Sequence, residues 1–204
     1  EKKLISEDTI LKPINPYGTT KFVVEQFLNN IFQSNPESWR IANLRYFNPI
    51  GAHESGLIGE NPIGVPNNIF PFLTQVAFRK LERVIIFGND WSTIDGTGVR
   101  DYIHVMDLAR GHTAALKFLQ EGQPQNVSIN LGTGLGTSVL ELINIFEKVN
   151  KLKIPYSFST RREGDLASVI ADNHKALSIL DWQPKKTIED MCRDGWKWEC
   201  KNKN

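Results

Sequence analysis

N-P-Y-G-T-T-K, residues 15–21, is the stretch around which the chain reads best. Asn15 has the side chain of a helix N-cap and Pro16 suits the first helical position. In the helix that follows, Tyr17 and Lys21 stand four residues apart, one above the other on one face. A phenol with an ammonium beside it favours the phenolate and can act as a general base near neutral pH. The spacing alone fits equally a surface lysine beside a half-buried tyrosine, so the rest of the chain has to decide.

Downstream of this start, Phe22, Val23, Phe27, Leu28, Ile31 and Phe32 form an apolar stripe that carries the helix to about residue 33, where Asn35-Pro36 ends it. A strand is expected over 40–47. The Gly-, Pro- and Asn-rich residues 48–68 read as a long loop, a length that usually serves function. Helices are expected over 69–80, 108–119 with Asp107 as cap, 138–149, 172–180 and 188–200. Short strands are expected over 83–87, 100–105, 127–131 and 155–159. The alternation of helices and strands means α/β.

At 204 residues the chain is one large domain or two small ones. Hydrophobic residues make up 40% and charged residues 23%, an ordinary globular composition. A net charge of +1 gives no pull toward nucleic acid or an anionic membrane. No apolar run approaches the roughly 20 residues of a membrane span. Cys192 and Cys200 fall on one expected helix, about 12 Å apart and too far for a disulfide. Two unbridged thiols suggest a reducing, cytoplasmic setting. The start at Glu1, without a Met or a strand, reads as a chain whose beginning is missing.

Several stretches invite a chemical reading. G-T-G-L-G at residues 132–136 follows a strand and precedes a helix, but the spacing is not G-x-G-x-x-G and no acidic residue follows at the right distance. A tight structural turn is expected there. Arg100 and the R-R-E-G-D run at 161–165 bring arginines from separate loops, which could clamp a diphosphate, with Asp165 left for sugar hydroxyls. Surface ion pairs within R-R-E-G-D are the plainer alternative. His53, His104, His112 and His174 have no metal-ligand spacing, and His104 reads as a hydrogen-bonded core residue. Trp182, Trp196 and Trp198 read as packing residues.

Taken in order, seven blocks resemble the UDP-glucose 4-epimerase family of extended short-chain dehydrogenase/reductases. They are N-P-Y-G-T-T-K (15–21), L-R-Y-F-N-P-I-G-A-H (44–53), V-P-N-N (65–68), I-F-G-N-D (86–90), D-G-T-G-V-R-D-Y-I-H-V-M-D-L-A (95–109), N-L-G-T-G (130–134) and R-R-E-G-D (161–165). The resemblance covers nearly the whole chain. It implies the C-terminal part of an extended Rossmann-type fold with a smaller mixed α/β substrate domain. Residues 1–47 would be the remnant of the NAD-binding domain. Residues 48–204 would be mainly the nucleotide-sugar domain, with about 100–135 returning to the first.

The implied activity is NAD-dependent 4-epimerisation of UDP-sugars through a 4-keto intermediate, in a cytoplasmic homodimer. Tyr17 would be the base at the sugar 4-hydroxyl, and Lys21 would hold the nicotinamide ribose and favour the tyrosinate. Phe47 matches a position beside the nicotinamide. Asn48 and Asn68 match sugar or nucleotide contacts. Ile85, Ile86 and Phe87 match the strand beside the uracil. Arg100 and Arg162 match diphosphate ligands, Asp165 a ribose contact, and Gly132 a structural turn.

The family's Gly-rich cofactor loop, its adenosine-ribose carboxylate and its Ser or Thr ahead of the tyrosine are not in this sequence. The chain alone is therefore expected to be inactive and poorly stable. The position four residues after the R-E-G-D aspartate gates the sugar pocket in the family. Here it is Val169, which implies room for a 2-acetamido group. A 4,6-dehydratase or decarboxylase of the same superfamily and a non-catalytic nucleotide-sugar binding module are the alternatives.

Overall fold

The computed structural model describes residues 4–64, 66 and 68–202. It opens with an extended segment in which Ile5 bridges Ala171 in parallel. The Ile5 N–H donates to Ile170 O at 2.8 Å, and the Asp172 N–H donates to Ile5 O at 2.9 Å. Helix α1 (Pro16–Ser34) follows, with the Asn15 side chain accepting from the Gly18 N–H at 2.7 Å. None of its 19 residues is buried. The expected stripe is split. Phe22, Leu28, Ile31 and Phe32 are half-buried, while Val23 and Phe27 are exposed on the face they share at four-residue spacing. A bidentate pair holds α1 down: Arg45 donates through Nε and Nη2 to the two Glu25 oxygens at 2.9 and 2.6 Å.

Strand β1 (Arg40–Tyr46) carries Arg45, and β2 (Asn48–Ile50) continues from it after one residue. The expected loop over 48–68 thus begins as a strand. Its partner lies some fifty residues on, out of reach of a local reading. Helix α2 (Ile69–Ala77) stops short of residue 80, because Arg79 takes a left-handed φ of 60°. Strands β3 (Val84–Phe87), β4 (Val99–Arg100) and β5 (Tyr102–His104) follow, then α3 (Val105–Glu121) and β6 (Gln125–Leu131).

Helix α3 begins earlier than expected, and its cap is His104, whose Nδ1 accepts from the Met106 N–H at 3.0 Å. Asp107 is not the cap. It lies in the first turn, fully buried, where it accepts from the Lys185 and Lys186 N–H groups and pairs with Arg110. The remaining elements are β7 (Thr137–Ser138), α4 (Val139–Asn150) with a Ser138/Glu141 capping box, β8 (Tyr156–Ser159), β9 (Ser168–Val169), α5 (His174–Leu180) and α6 (Ile188–Lys201).

The pairings are mostly parallel, as an α/β fold requires. β1 runs parallel to β6, from Arg40 opposite Gln125 to Tyr46 opposite Leu131. β2 pairs with β5 and β3 with β8, both parallel. β4 lies between β7, antiparallel, and β9, parallel. Among the described residues, every strand except β4 pairs on one edge only.

Two apolar clusters form the core. One contains Leu73, Val84, Ile86, Leu142, Phe146 and Met191, from α2, β3, α4 and α6. The other contains Ile103, Leu108, Ile129, Leu131, Leu180 and Trp182, from β5, α3, β6 and α5 with its following loop. Adjacent residues of β5, Tyr102 and Ile103, fall into different clusters, so this strand forms the seam between them. Trp182 and Trp196 pack as expected, and Cys192 and Cys200 are both free. No helix among the described residues is long and apolar enough to cross a membrane.

Candidate active site

Tyr17 and Lys21 share the face of α1 that the spacing predicts, with Lys21 Nζ 5.2 Å from the centre of the Tyr17 ring. Tyr17 is 70% exposed. The pair therefore stands at an open surface of this chain.

The arginine loop reaches the same end of α1. Gly164, in R-R-E-G-D, abuts Ile14, the residue before the Asn15 cap; a Cβ on that glycine would lie 3.2 Å from Ile14 Cδ1. The loop is not tied up in ion pairs of its own. Asp165 faces Arg100 from β4, Oδ1 to Nη2 at 3.7 Å. Arg100 Nη1 donates to Leu166 O at 2.8 Å and Val99 O at 2.9 Å.

The two loop arginines go separate ways. Arg162 lies 4.3 Å over the Phe87 ring at the end of β3. Arg161 donates through Nε and Nη2 to Asp90 Oδ1 and O, at 2.8 and 2.6 Å, and stacks 4.1 Å over Trp91. The hydrogen bond from Arg161 lowers the Asp90 carboxyl from its ordinary value. The loop after β8 is thereby stitched to the loop after β3, at the C-terminal ends of two paired parallel strands. Ligands of open α/β sheets lie at such ends.

The other expected residues border this region unevenly. Ile86 is buried in the core, so Ile85 and Phe87 carry the accessible side chains of β3. The Asn48 N–H donates to Asp101 O at 3.0 Å, and the Phe47 N–H donates to Leu131 O at 3.2 Å. Asn68 precedes α2 with its side chain not used as a cap. Val169 is half-buried on β9, directly opposite Arg100. Val65 and Asn67 of V-P-N-N lie outside the described residues.

The Gly-rich turn is explained by Asp101, which sequence reading left without a role. Its carboxylate is fully buried and accepts the Thr133 and Gly134 N–H groups at 2.8 and 2.9 Å and the Thr133 hydroxyl at 2.6 Å. The turn wraps a carboxylate of its own chain instead of a phosphate. Gly132 is required by this approach, since a Cβ there would sit 2.7 Å from Asp101 Oδ2. Gly134 is required by its φ of 73°. Burial pushes the Asp101 carboxyl up, against the pull of these donors.

A family model described as GDP-mannose 4,6 dehydratase matches residues 1–195. The chain belongs to that family. Within it, the chain is 50% identical over 204 residues to a UDP-glucose 4-epimerase of Bacillus subtilis, covering all of this chain and 60% of that protein. A UDP-glucose 4-epimerase from Stenotrophomonas maltophila, solved with NAD and formylated UDP-arabinopyranose, superposes with a TM-score of 0.93 at 48% identity. The match covers 97% of this chain and 58% of that one. The Bifidobacterium longum enzyme, solved with NAD+ and UDP, superposes at 0.92 with 46% identity, covering 98% and 59%. The chain thus spans about three fifths of the length of the relatives it matches. The parallel α/β architecture is that of these Rossmann-type family members.

Proposed function

We propose that this chain is the substrate-binding and general-base portion of an NAD-dependent UDP-sugar 4-epimerase. The observation that carries the reading is the convergence of Arg100, Asp165 and the Arg162 loop on the start of the helix that presents Tyr17 and Lys21. Arginines suit a diphosphate, and a carboxylate suits ribose hydroxyls. Ile85, Phe87 and the open edge of β3 would flank the uracil, with Asn48 and Asn68 as polar contacts to the sugar or nucleotide.

Tyr17, Lys21 and Phe47 fit the cofactor: an open phenol–ammonium face suits a ribose, and Phe47 sits at the end of the strand beside it. NAD bound there would supply a hydride acceptor and donor for carbon 4 of the sugar. Tyr17 takes the proton of the 4-hydroxyl and returns it, while Lys21 holds the ribose and keeps a positive charge beside the phenolate.

The two core clusters support a division into a cofactor lobe, residues 1–47 with about 100–135, and a substrate lobe formed by most of the rest. Helix α5 joins the first lobe. The uncovered α1 and the single-edged β1 support the expectation that the 204 residues alone are inactive and weakly stable. Val23, Val24 and Phe27, exposed on α1, support a homodimer, and the free thiols suit the cytoplasm. Val169, smaller than an aromatic residue, leaves room for UDP-N-acetylglucosamine and its galacto epimer.

Titration with UDP tests the reading. A protein that joins this chain to an upstream cofactor half should bind UDP and interconvert UDP-glucose and UDP-galactose. No UDP binding would refute the site. UDP binding without turnover in the joined protein would leave a binding module. The family description favours one further reading, a 4,6-dehydratase. Loss of water to a 4-keto-6-deoxy sugar, in place of the epimer, would establish it.

A further inference from the structure

Asp101 stands alone between β4 and β5, where the chain changes partners. Through Arg100 it pairs with β7 and β9; from Tyr102 onward it pairs with β2. The Asp101 N–H donates to Val169 O on β9, and its carbonyl accepts from the Asn48 N–H on β2, both at 3.0 Å. β2 and β9 therefore diverge from this one residue. A crevice between diverging strands is where open α/β sheets take their ligands. Asn48, Arg100 and Val169 are each one backbone link from Asp101.

The side chain fixes the same point from a third direction. Oδ1 accepts the N–H and hydroxyl of Thr133, at 2.8 and 2.6 Å, and Oδ2 accepts the N–H groups of Gly134 and Ala171, at 2.9 and 3.1 Å. Four donors fill the four acceptor directions of a carboxylate. Ala171 lies two residues after Val169, so its bond fixes the far end of the β9 segment.

We propose that Asp101 is a positioning residue, whose buried carboxylate sets the spacing of β2 and β9 and so aims Asn48, Arg100 and Val169 at a uridine-diphosphate sugar. The inference rests on the UDP-sugar reading above. It demands a carboxylate and not merely the shape of one. In Asp101→Asn the amide NH2 faces either the Gly134 and Ala171 N–H groups or the Thr133 N–H, with the Thr133 hydroxyl turned to accept, so at least one backbone donor is left opposite a donor with no change in size.

The test uses the full-length protein that carries this chain, well below its melting temperature. Asp101→Asn is expected to raise the Kd for UDP and the KM for the UDP-sugar by about tenfold, with kcat changing much less. Thr133→Val removes one donor and should shift both in the same direction by about threefold. Leu135→Ala, on an exposed side chain of the same turn, should leave both unchanged. A folded Asp101→Asn protein with unaltered Kd and KM and only a lower melting temperature overturns the proposal. Should that variant not fold, unaltered UDP affinity in folded Thr133→Val overturns it. Failure of the unsubstituted protein to bind UDP refutes instead the reading on which the inference rests.

Discussion

Helix α1 and the strand junction at Asp101 are built on opposite plans. α1 buries none of its residues, and its two reactive side chains stand at an open face. At Asp101 nothing is open. The carboxylate is fully buried, each of its oxygens has two donors, and its backbone links two strands. The difference separates chemistry from recognition. The groups suited to proton transfer are held by local helix geometry, a half-buried apolar stripe and the Arg45–Glu25 pair. The groups suited to gripping a nucleotide sugar are held by long-range bonds already made within these residues. Substrate affinity and chemical rate should therefore be separable by mutation.

The largest expected effect lies on the open side. In the full-length protein, Tyr17→Phe should lower kcat for UDP-glucose by roughly 10²–10⁴-fold, the usual worth of a positioned acid–base group. UDP affinity measured by calorimetry should not move, because none of the hydrogen bonds of Asp101 involves α1. A parallel loss of UDP affinity would break the comparison.

The same division governs what could be read from sequence. α1 was legible because its signals are local: Asn15-Pro16 at the start, Asn35-Pro36 at the end and periodic apolar residues between. The Gly132–Gly134 turn was legible as a turn, but not as a clasp. The carboxylate it clasps is some thirty residues earlier, and no spacing rule links them. Asp107 misled for a similar reason. Asp is a common capping type, but its Oδ2 accepts from backbone groups almost eighty residues away, its Oδ1 pairs with Arg110, and a histidine caps α3 instead. β2 was missed because it is three residues long, contains Pro49 and pairs with a strand more than fifty positions on. Arg100, Arg162 and Asp165 could be named from their motifs. That Asp165 would face Arg100, and that Arg161 would leave for Asp90 and Trp91, is a tertiary result.

A smaller effect sharpens the Asp101 side. Val169 lies opposite Arg100, half-buried on β9. Val169→Tyr adds a ring without disturbing the ladder, since the Val169 carbonyl still accepts from the Asp101 N–H. Turnover of UDP-N-acetylglucosamine should fall to background while that of UDP-glucose stays within about threefold. Equal rates on both sugars, before and after the substitution, would remove Val169 from the sugar pocket.

The smallest effect is on stability, at the far end of β5 from Asp101. His104 is fully buried. Its Nδ1 accepts from Met106 as the cap of α3, so its proton sits on Nε2 and points to Asp194 Oδ2 at 3.3 Å. Burial lowers its pKa from the ordinary 6.5, with Lys186 acting the same way, against the opposite pull of Asp194 and Asp190. A histidine lowered on folding contributes stability above its unfolded pKa, and that contribution is lost as pH falls through the folded value. Protonation would also cost the cap, because Nδ1 would become a donor facing a donor. His104→Gln should therefore be less stable than the unsubstituted protein at about pH 7.5, and the gap in melting temperature should narrow toward about pH 5.5. His53, His112 and His174 are common to both proteins and cancel in the difference. A gap that stays constant or widens on acidification would mean that His104 is not kept neutral by the fold. UDP affinity at neutral pH should stay the same in both proteins, since the His104 partners, Met106 and Asp194, are not among those of Asp101.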